Sequence, residues 1–178
     1  MKVLIVSDIH GSSYYAKKLE KIINMEKPEQ IIVLGDLYYH GPRNPLTEEY
    51  NPLEVAKVLN NIGDSLKVVQ GNCDAEVDKM ISEFEFNKYI LEEINNKKIF
   101  FSHGHIYNID NWPKEDFDIM CYGHYHIPFI KEKDGKIFMN PGSISLPKEN
   151  TPHSYAIMDT KMIQIKDING KSIINKEM

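Results

Sequence analysis

Short apolar runs and amphipathic stretches alternate along the first part of the chain. Val3 to Val6 and Ile31 to Leu34 are continuous apolar runs bounded by polar or turn residues, the pattern of strands buried on both faces of a parallel sheet. Between them, Leu19, Ile22 and Ile23 fall at helical spacing in a segment from about Tyr14 to Met25, with Ser12 and Ser13 placed as N-caps. A second unit follows, with a helix over Leu53 to Leu59 and a strand over Leu66 to Val69. The second half reads as sheet. Strands are expected over Tyr89 to Ile94, Lys98 to Ser102, Ile119 to Tyr122, Phe129 to Lys133, Ile137 to Asn140, Ser154 to Met158 and Met162 to Ile168, several joined by turn pairs such as Asp134-Gly135. The polar stretch from Tyr38 to Pro52, with three prolines, is the one long irregular loop expected.

At 178 residues and 42% hydrophobic content the chain suits one core, so a single domain over residues 1–178 is expected. The formal charge of −5, with Lys and Arg scattered among Asp and Glu, gives no basic footprint for stable nucleic-acid binding. Cys73 and Cys121 are far apart in sequence and indicate no disulfide framework. With no secretory or membrane-length apolar segment at the start, a cytoplasmic location is expected, with no membrane association.

The candidate chemistry lies just after the apolar runs. Asp8-Ile-His10-Gly11, Gly35-Asp36, Gly71-Asn72-Cys73-Asp74, Ser102-His103-Gly104-His105 and Gly123-His124-Tyr125-His126 each follow a strand-like segment. In open α/β sheets, ligands gather at the carboxyl ends of the strands, where Asp8, Asp36 and Asn72 fall. A strand delivers alternate side chains to one face, so Asp8 and His10 are expected to point the same way, as are His124 and His126, and each pair is a ready-made half of a metal site. Mixed carboxylate, imidazole and amide donors suit divalent ions such as Mn²⁺, Fe²⁺, Zn²⁺, Ni²⁺ or Co²⁺, and the absence of paired thiolates disfavours a structural zinc site.

The ordered blocks resemble those of the calcineurin-like metallophosphoesterase superfamily. His40-Gly-Pro-Arg-Asn-Pro45, Gly71-Asn-Cys-Asp74, Ser102-His-Gly-His105 and Asn140-Pro-Gly-Ser143 are similar to its branch of small YfcE-like phosphodiesterases. The resemblance runs from residue 2 to about residue 168. It implies an α/β fold, a four-layer αββα sandwich of two mixed β-sheets flanked by helices. It further implies two divalent ions, Mn²⁺ being the first choice, one held by Asp8, His10 and His126, the other by Asn72, His103 and His124, with Asp36 bridging. The implied activity is hydrolysis of a small phosphodiester by in-line attack of a hydroxide bridging the two metals. A phosphomonoesterase or pyrophosphatase, and a non-catalytic interaction scaffold of the retromer-subunit type, are the alternatives on the same fold. Nothing in the sequence fixes the oligomeric state, and a homo-oligomer stays open.

Many relatives carry histidine where this chain has Cys73, and a thiol is a poor proton donor to an alkoxide. His40, His105 and Arg43 are therefore the candidates for contact with the substrate or its leaving oxygen. Asp74 is expected to orient a ligand from behind, His153 to face solvent, and Tyr107 and Trp112 to follow the fourth block as packing or substrate-wall aromatics.

Overall fold

A computed structural model describes residues 1–178. Strand β1 (Val3–Val6), helix α1 (Ser13–Glu26) and strand β2 (Gln30–Val33) form the first unit, and helix α2 (Pro52–Asn60) leads to β3 (Leu66–Val69). Ser12 caps α1 by accepting from the Tyr15 backbone N–H, and Lys27 ends it in a left-handed conformation. β1, β2 and β3 pair in parallel, in keeping with their mostly apolar, mostly buried residues. Two residues, Phe86–Asn87 (β4), extend that parallel edge.

Beyond them come β5 (Ile90–Ile94), β6 (Lys97–Ser102), β7 (Ile119–Tyr122), β8 (Pro128–Lys133), β9 (Lys136–Pro141), β10 (Ser154–Met158), β11 (Met162–Asp167) and β12 (Ser172–Glu177). They divide between two sheets. A seven-stranded sheet has the order β12-β11-β10-β1-β2-β3-β4, and a five-stranded sheet the order β5-β6-β7-β9-β8. Both are mixed. β10 joins β1 antiparallel, while β6, β7 and β9 run parallel with antiparallel β5 and β8 at the edges.

The sheets pack face to face. Val3, Ile5, Ile32 and Leu34 from the first and Ile99, Phe101, Cys121 and Met139 from the second form one buried layer. The other face of the first sheet, with Leu4, Val6, Ile31 and Val33, is covered by both helices through Leu19, Ile22, Val55 and Leu59. The α/β class and the two mixed sheets agree with expectation. The outer layer over the second sheet is a loop rather than a helix: Trp112 and Phe117 pack on Phe100, Met120 and Phe138.

Most expected strands and both helices are present within a residue or two of their expected ends, and the stretch 38–52 is irregular. β12 and the two-residue β4 were not expected; Ser172–Glu177 alternates weakly and is mostly exposed, so its apolar signal is small. His153 is a correction. Instead of facing solvent it stacks on the Tyr15 ring at 4.3 Å, with Nδ1 donating to the Ile144 carbonyl (2.9 Å).

Candidate metal centre

β1 ends at Val6, and residues 7–11 continue beside the loop after β2 without strand geometry. The Asp8 N–H donates to the Gly35 carbonyl (3.1 Å) and the His10 N–H to the Asp36 carbonyl (2.9 Å). Asp8, His10, Asp36, His124 and His126 all adopt positive φ, between 49° and 66°. Strand alternation is therefore not what aims Asp8 with His10, or His124 with His126; left-handed turns do, a correction to the strand-based reading. Asp and His tolerate this region better than most residues, and the hydrogen bonds between neighbouring loops hold them there.

Three imidazoles are fixed by the backbone. His10 Nδ1 lies 2.8 Å from the Tyr39 carbonyl, His103 Nδ1 2.6 Å from that of Leu34, and His126 Nδ1 2.5 Å from that of Leu146. A carbonyl only accepts, so each Nδ1 carries a proton and each ring turns its Nε2 inward. The inward atoms crowd together. His10 Nε2 and His126 Nε2 are 3.3 Å apart, and His103 Nε2 is 3.2 Å from His124 Nδ1 and 3.0 Å from Asn72 Oδ1.

The carboxylates complete two groups that adjoin at Asp36. Asp8 Oδ1 lies 3.2 Å from His126 Nε2 and 3.6 Å from His10 Nε2. Asp36 Oδ2 stands 3.6 Å from His10 Nε2 and 3.4 Å from His103 Nε2, between the groups. The donor atoms of Asp8, His10 and His126 fall within 4.8 Å of one another, as do those of Asp36, His103 and His124. The structure thus brings all seven expected ligands together.

These residues fit divalent cations. Asp8 Oδ1 is buried with no hydrogen-bond partner, facing lone pairs that repel it and one another unless a proton or a cation lies between them. Burial works to lower the His103 imidazole, but the hydrogen bond to Asp36 and the charges of Asp8 and Asp36 outweigh it and raise it to about 9. Without a metal, protons hold the cluster together. His124 is lowered to about 4 by burial and by the charge of His103, so it presents a neutral ring.

Asp74 supports the centre from behind. Its carboxylate accepts the backbone N–H groups of Asp36 (2.8 Å), Leu37 (2.7 Å) and Gly71 (2.7 Å), pinning the two ligand loops to each other. Burial raises this carboxyl to about 6 against the pull of those donors. Gly71 has no room for a side chain, because a Cβ there would lie 2.2 Å from Asp36 Oδ1. The Asn140-Pro-Gly-Ser143 turn also serves the site: Asn140 Nδ2 donates to the Gly123 carbonyl (2.7 Å) and Ser143 Oγ to the Asp8 carbonyl (2.8 Å).

A cavity of about 420 Å³ opens over the cluster, lined by His10, Asp36, Asn72, His124 and His126 together with Arg43, Lys148 and Cys73. Of the three substrate-contact candidates, only Arg43 lines it. The His40 ring lies edge-on to Tyr39 (4.8 Å) and Tyr50 (5.4 Å), with Nδ1 buried and unpartnered. His105 is exposed, 5.4 Å from the His103 ring, on a neighbouring cavity that also takes in Tyr107. Trp112 is packing, 5.3 Å from Phe138. Lys148 is a residue that sequence reasoning missed; it sits in a polar loop with no motif around it. The Cys73 thiol is pushed up to about 12 by burial and by the charge of Asp36 beside it.

Two mixed sheets with a carboxylate-bridged histidine cluster at the ends of their parallel strands define a metallophosphoesterase. The chain belongs to the calcineurin-like phosphoesterase superfamily, whose domain pattern matches residues 1–162. Among particular proteins it is 37% identical over 180 residues to "Phosphodiesterase YfcE" of Escherichia coli, covering 98% of this chain and 96% of that one. It is 30% identical over 185 residues to "Probable metallophosphoesterase YsnB" of Bacillus subtilis, covering 97% and 95%. The solved structure of the E. coli phosphoesterase Yfce superposes with a TM-score of 0.95 at 31% identity, covering 99% of this chain and 98% of that one. Vacuolar Protein Sorting 29 from Cryptosporidium parvum shares the fold alone, at TM-score 0.69 and 21% identity, with 99% and 97% covered.

Proposed function

We propose that this protein is a phosphodiesterase that hydrolyses a small diester with the help of two divalent metal ions. The observation that carries the reading is Asp36 Oδ2 lying within 3.6 Å of imidazoles from both groups, the position of a bridging ligand. In this reading Asp8, His10 and His126 hold one ion and Asn72, His103 and His124 the other, with Asp36 shared. Bound ions would supply Lewis acidity toward phosphoryl oxygens and acidify water at neutral pH. Manganese is our first choice, on donor type, and a cytoplasmic location rests on cysteine usage. The names of the curated relatives support the diesterase activity.

The chain's own residues do the rest. Arg43 and Lys148 line the cavity and orient the single negative charge of a diester. Cys73 is the only nucleophilic thiol or hydroxyl side chain on the cavity wall and is protonated at neutral pH, so water rather than the chain attacks phosphorus. No lining residue is a ready acid at the Cys73 side. We assign to His105, whose imidazole is lowered by burial and by the charge of His103, contact with the departing arm, and to His40 the positioning of the 38–50 loop that carries the Tyr39 carbonyl.

The test is hydrolysis of bis-p-nitrophenyl phosphate by chelator-stripped protein, with and without Mn²⁺. Its leaving group needs no acid, so restored turnover is the expected result. Failure of Mn²⁺, Fe²⁺, Zn²⁺, Ni²⁺ and Co²⁺ alike overturns the reading.

A further inference from the structure

The cavity over the ligand cluster has a neighbour on each side, and the two neighbours differ in chemistry. Across Cys73, which lines both spaces, lies a cleft of about 340 Å³ in which seven of nine lining residues are hydrophobic, among them Tyr39, Tyr50, Val77 and Ile81. Across Asn72, which also lines both, lies a larger cavity of about 560 Å³ with only three hydrophobic residues among nine; Lys88, His105 and Gln70 are on its wall.

The apolar cleft is coupled to the centre through its walls. Tyr39 gives its carbonyl to His10 Nδ1, and Asp36 Oδ1 accepts the Cys73 backbone N–H at 2.8 Å. Tyr39 (43% exposed) and Val77 (63%), both on its wall, leave apolar surface open to water. A phosphodiester seated with its phosphorus at the ligand cluster has two ester arms, and the central cavity borders one space for each. One path runs over Cys73 onto aromatic and aliphatic side chains, the other over Asn72 onto a cation, an imidazole and an amide.

We propose that the substrate is an unsymmetrical diester whose aromatic or otherwise apolar arm lies in the Tyr39–Val77 cleft beyond Cys73, and whose polar, hydroxyl-bearing arm lies in the Lys88–His105 cavity beyond Asn72. This deepens the diesterase reading and rests on it. Hydrolysis adds the oxygen of water to phosphorus, breaks one phosphorus–oxygen bond, and leaves a phosphomonoester and an alcohol or phenol whose hydroxyl hydrogen comes from that water. The apolar cleft suits an arm held by contact area and ring stacking. The polar cavity suits a sugar or polyol, whose hydroxyls need hydrogen-bond partners once desolvated.

The experiment compares two p-nitrophenyl diesters of Mn²⁺-loaded protein: methyl p-nitrophenyl phosphate, with a negligible second arm, and thymidine 5′-p-nitrophenyl phosphate, with a polar one. The wild type should show a KM for the thymidine ester at least 5-fold lower. V77E should raise KM for both esters at least 5-fold with kcat within about 2-fold, whereas K88E should raise KM for the thymidine ester only. Both positions are exposed, and thermal melting checks that the variants fold. An unchanged KM in V77E, or equal effects of K88E on the two esters, overturns the assignment of the arms. If no variant and no metal gives turnover, the diesterase reading fails. The cleft is then still decided by saturation-transfer NMR with diphenyl phosphate, whose phenyl signal should be present with the wild type and lost with V77E; equal signals overturn it.

Discussion

The Nε2 atoms of His10 and His126 face each other at 3.3 Å, each ring having its other nitrogen committed to a backbone carbonyl. Neither ring can turn away without giving up that bond, so the facing nitrogens hold a proton or a cation between them. Metal binding should therefore displace protons. His103, raised to about 9, keeps its proton at pH 7 in the metal-free protein. Its contribution to metal-free stability is complete below the unfolded imidazole value of about 6.5 and is lost as pH rises through about 9. Calorimetric titration with Mn²⁺ at pH 7 in two buffers of different ionisation enthalpy should show net proton release. The metal-free melting temperature should fall between pH 6.5 and 9, and saturating Mn²⁺ should restore it.

Asp74 joins three backbone donors that have no other acceptor in the ligand loops. Asp74→Ala should cost about 2–4 kcal/mol in urea unfolding, because buried N–H groups are left unpaired. It should also weaken Mn²⁺ binding at least 10-fold, since the Asp36 backbone is released. Asp74→Asn, which keeps an acceptor, should lose less of both. Lowered stability with unchanged Mn²⁺ affinity would show that Asp74 supports the fold and not the centre.

Glu26, the last residue of α1, is 8% exposed and accepts from Lys2 Nζ (2.8 Å), Lys166 Nζ (2.8 Å) and Tyr155 Oη (2.9 Å). Burial pushes its carboxyl up, but those three partners outweigh it and lower it to about 2. Its stabilisation is present above the unfolded value of about 4.5 and disappears as pH falls through about 2. Glu26→Gln should lose about 3 kcal/mol at pH 7, leaving two lysines without their carboxylate. Below pH 2 the wild-type and variant unfolding curves should converge.

Cys73, with its thiol at about 12, is protonated and unreactive at neutral pH. Iodoacetamide at pH 8 should label it at least about 100-fold more slowly in the folded protein than in urea. Cys73→Ala should keep kcat for bis-p-nitrophenyl phosphate within about 3-fold of wild type. A loss greater than about 100-fold would show that the thiol takes part in the reaction.

Much of this arrangement is legible in the sequence because the ligand blocks sit directly after apolar runs. Those runs read as strands of one parallel sheet, so the residues just after them fall together at its carboxyl end. Asp8, Asp36 and Asn72 could thus be placed at one end of the sheet from the sequence alone. The backbone that aims them was not legible: five ligands use left-handed turns, stabilised by bonds such as His10 N–H to Asp36 C=O that join residues distant in sequence. Lys148 and the tyrosine-lined cleft were hidden for the same reason, since they gather residues from separate loops with no shared spacing. His153 misled because Tyr15, its stacking partner, lies 138 positions away.

The candidate ligands are divided between the sheets, Asp8, His10, Asp36 and Asn72 following strands of the first and His103, His124 and His126 following strands of the second. Ions bound there would act as a reversible cross-link between two halves otherwise joined by apolar packing and by hydrogen bonds such as His103 Nδ1 to the Leu34 carbonyl. Mass action then makes the persistence of the folded chain a function of free ion concentration, growing by about 1.4 kcal/mol for every tenfold excess over the dissociation constant of each site. Without such ions the same sheets would rely on their apolar cores and loop hydrogen bonds alone.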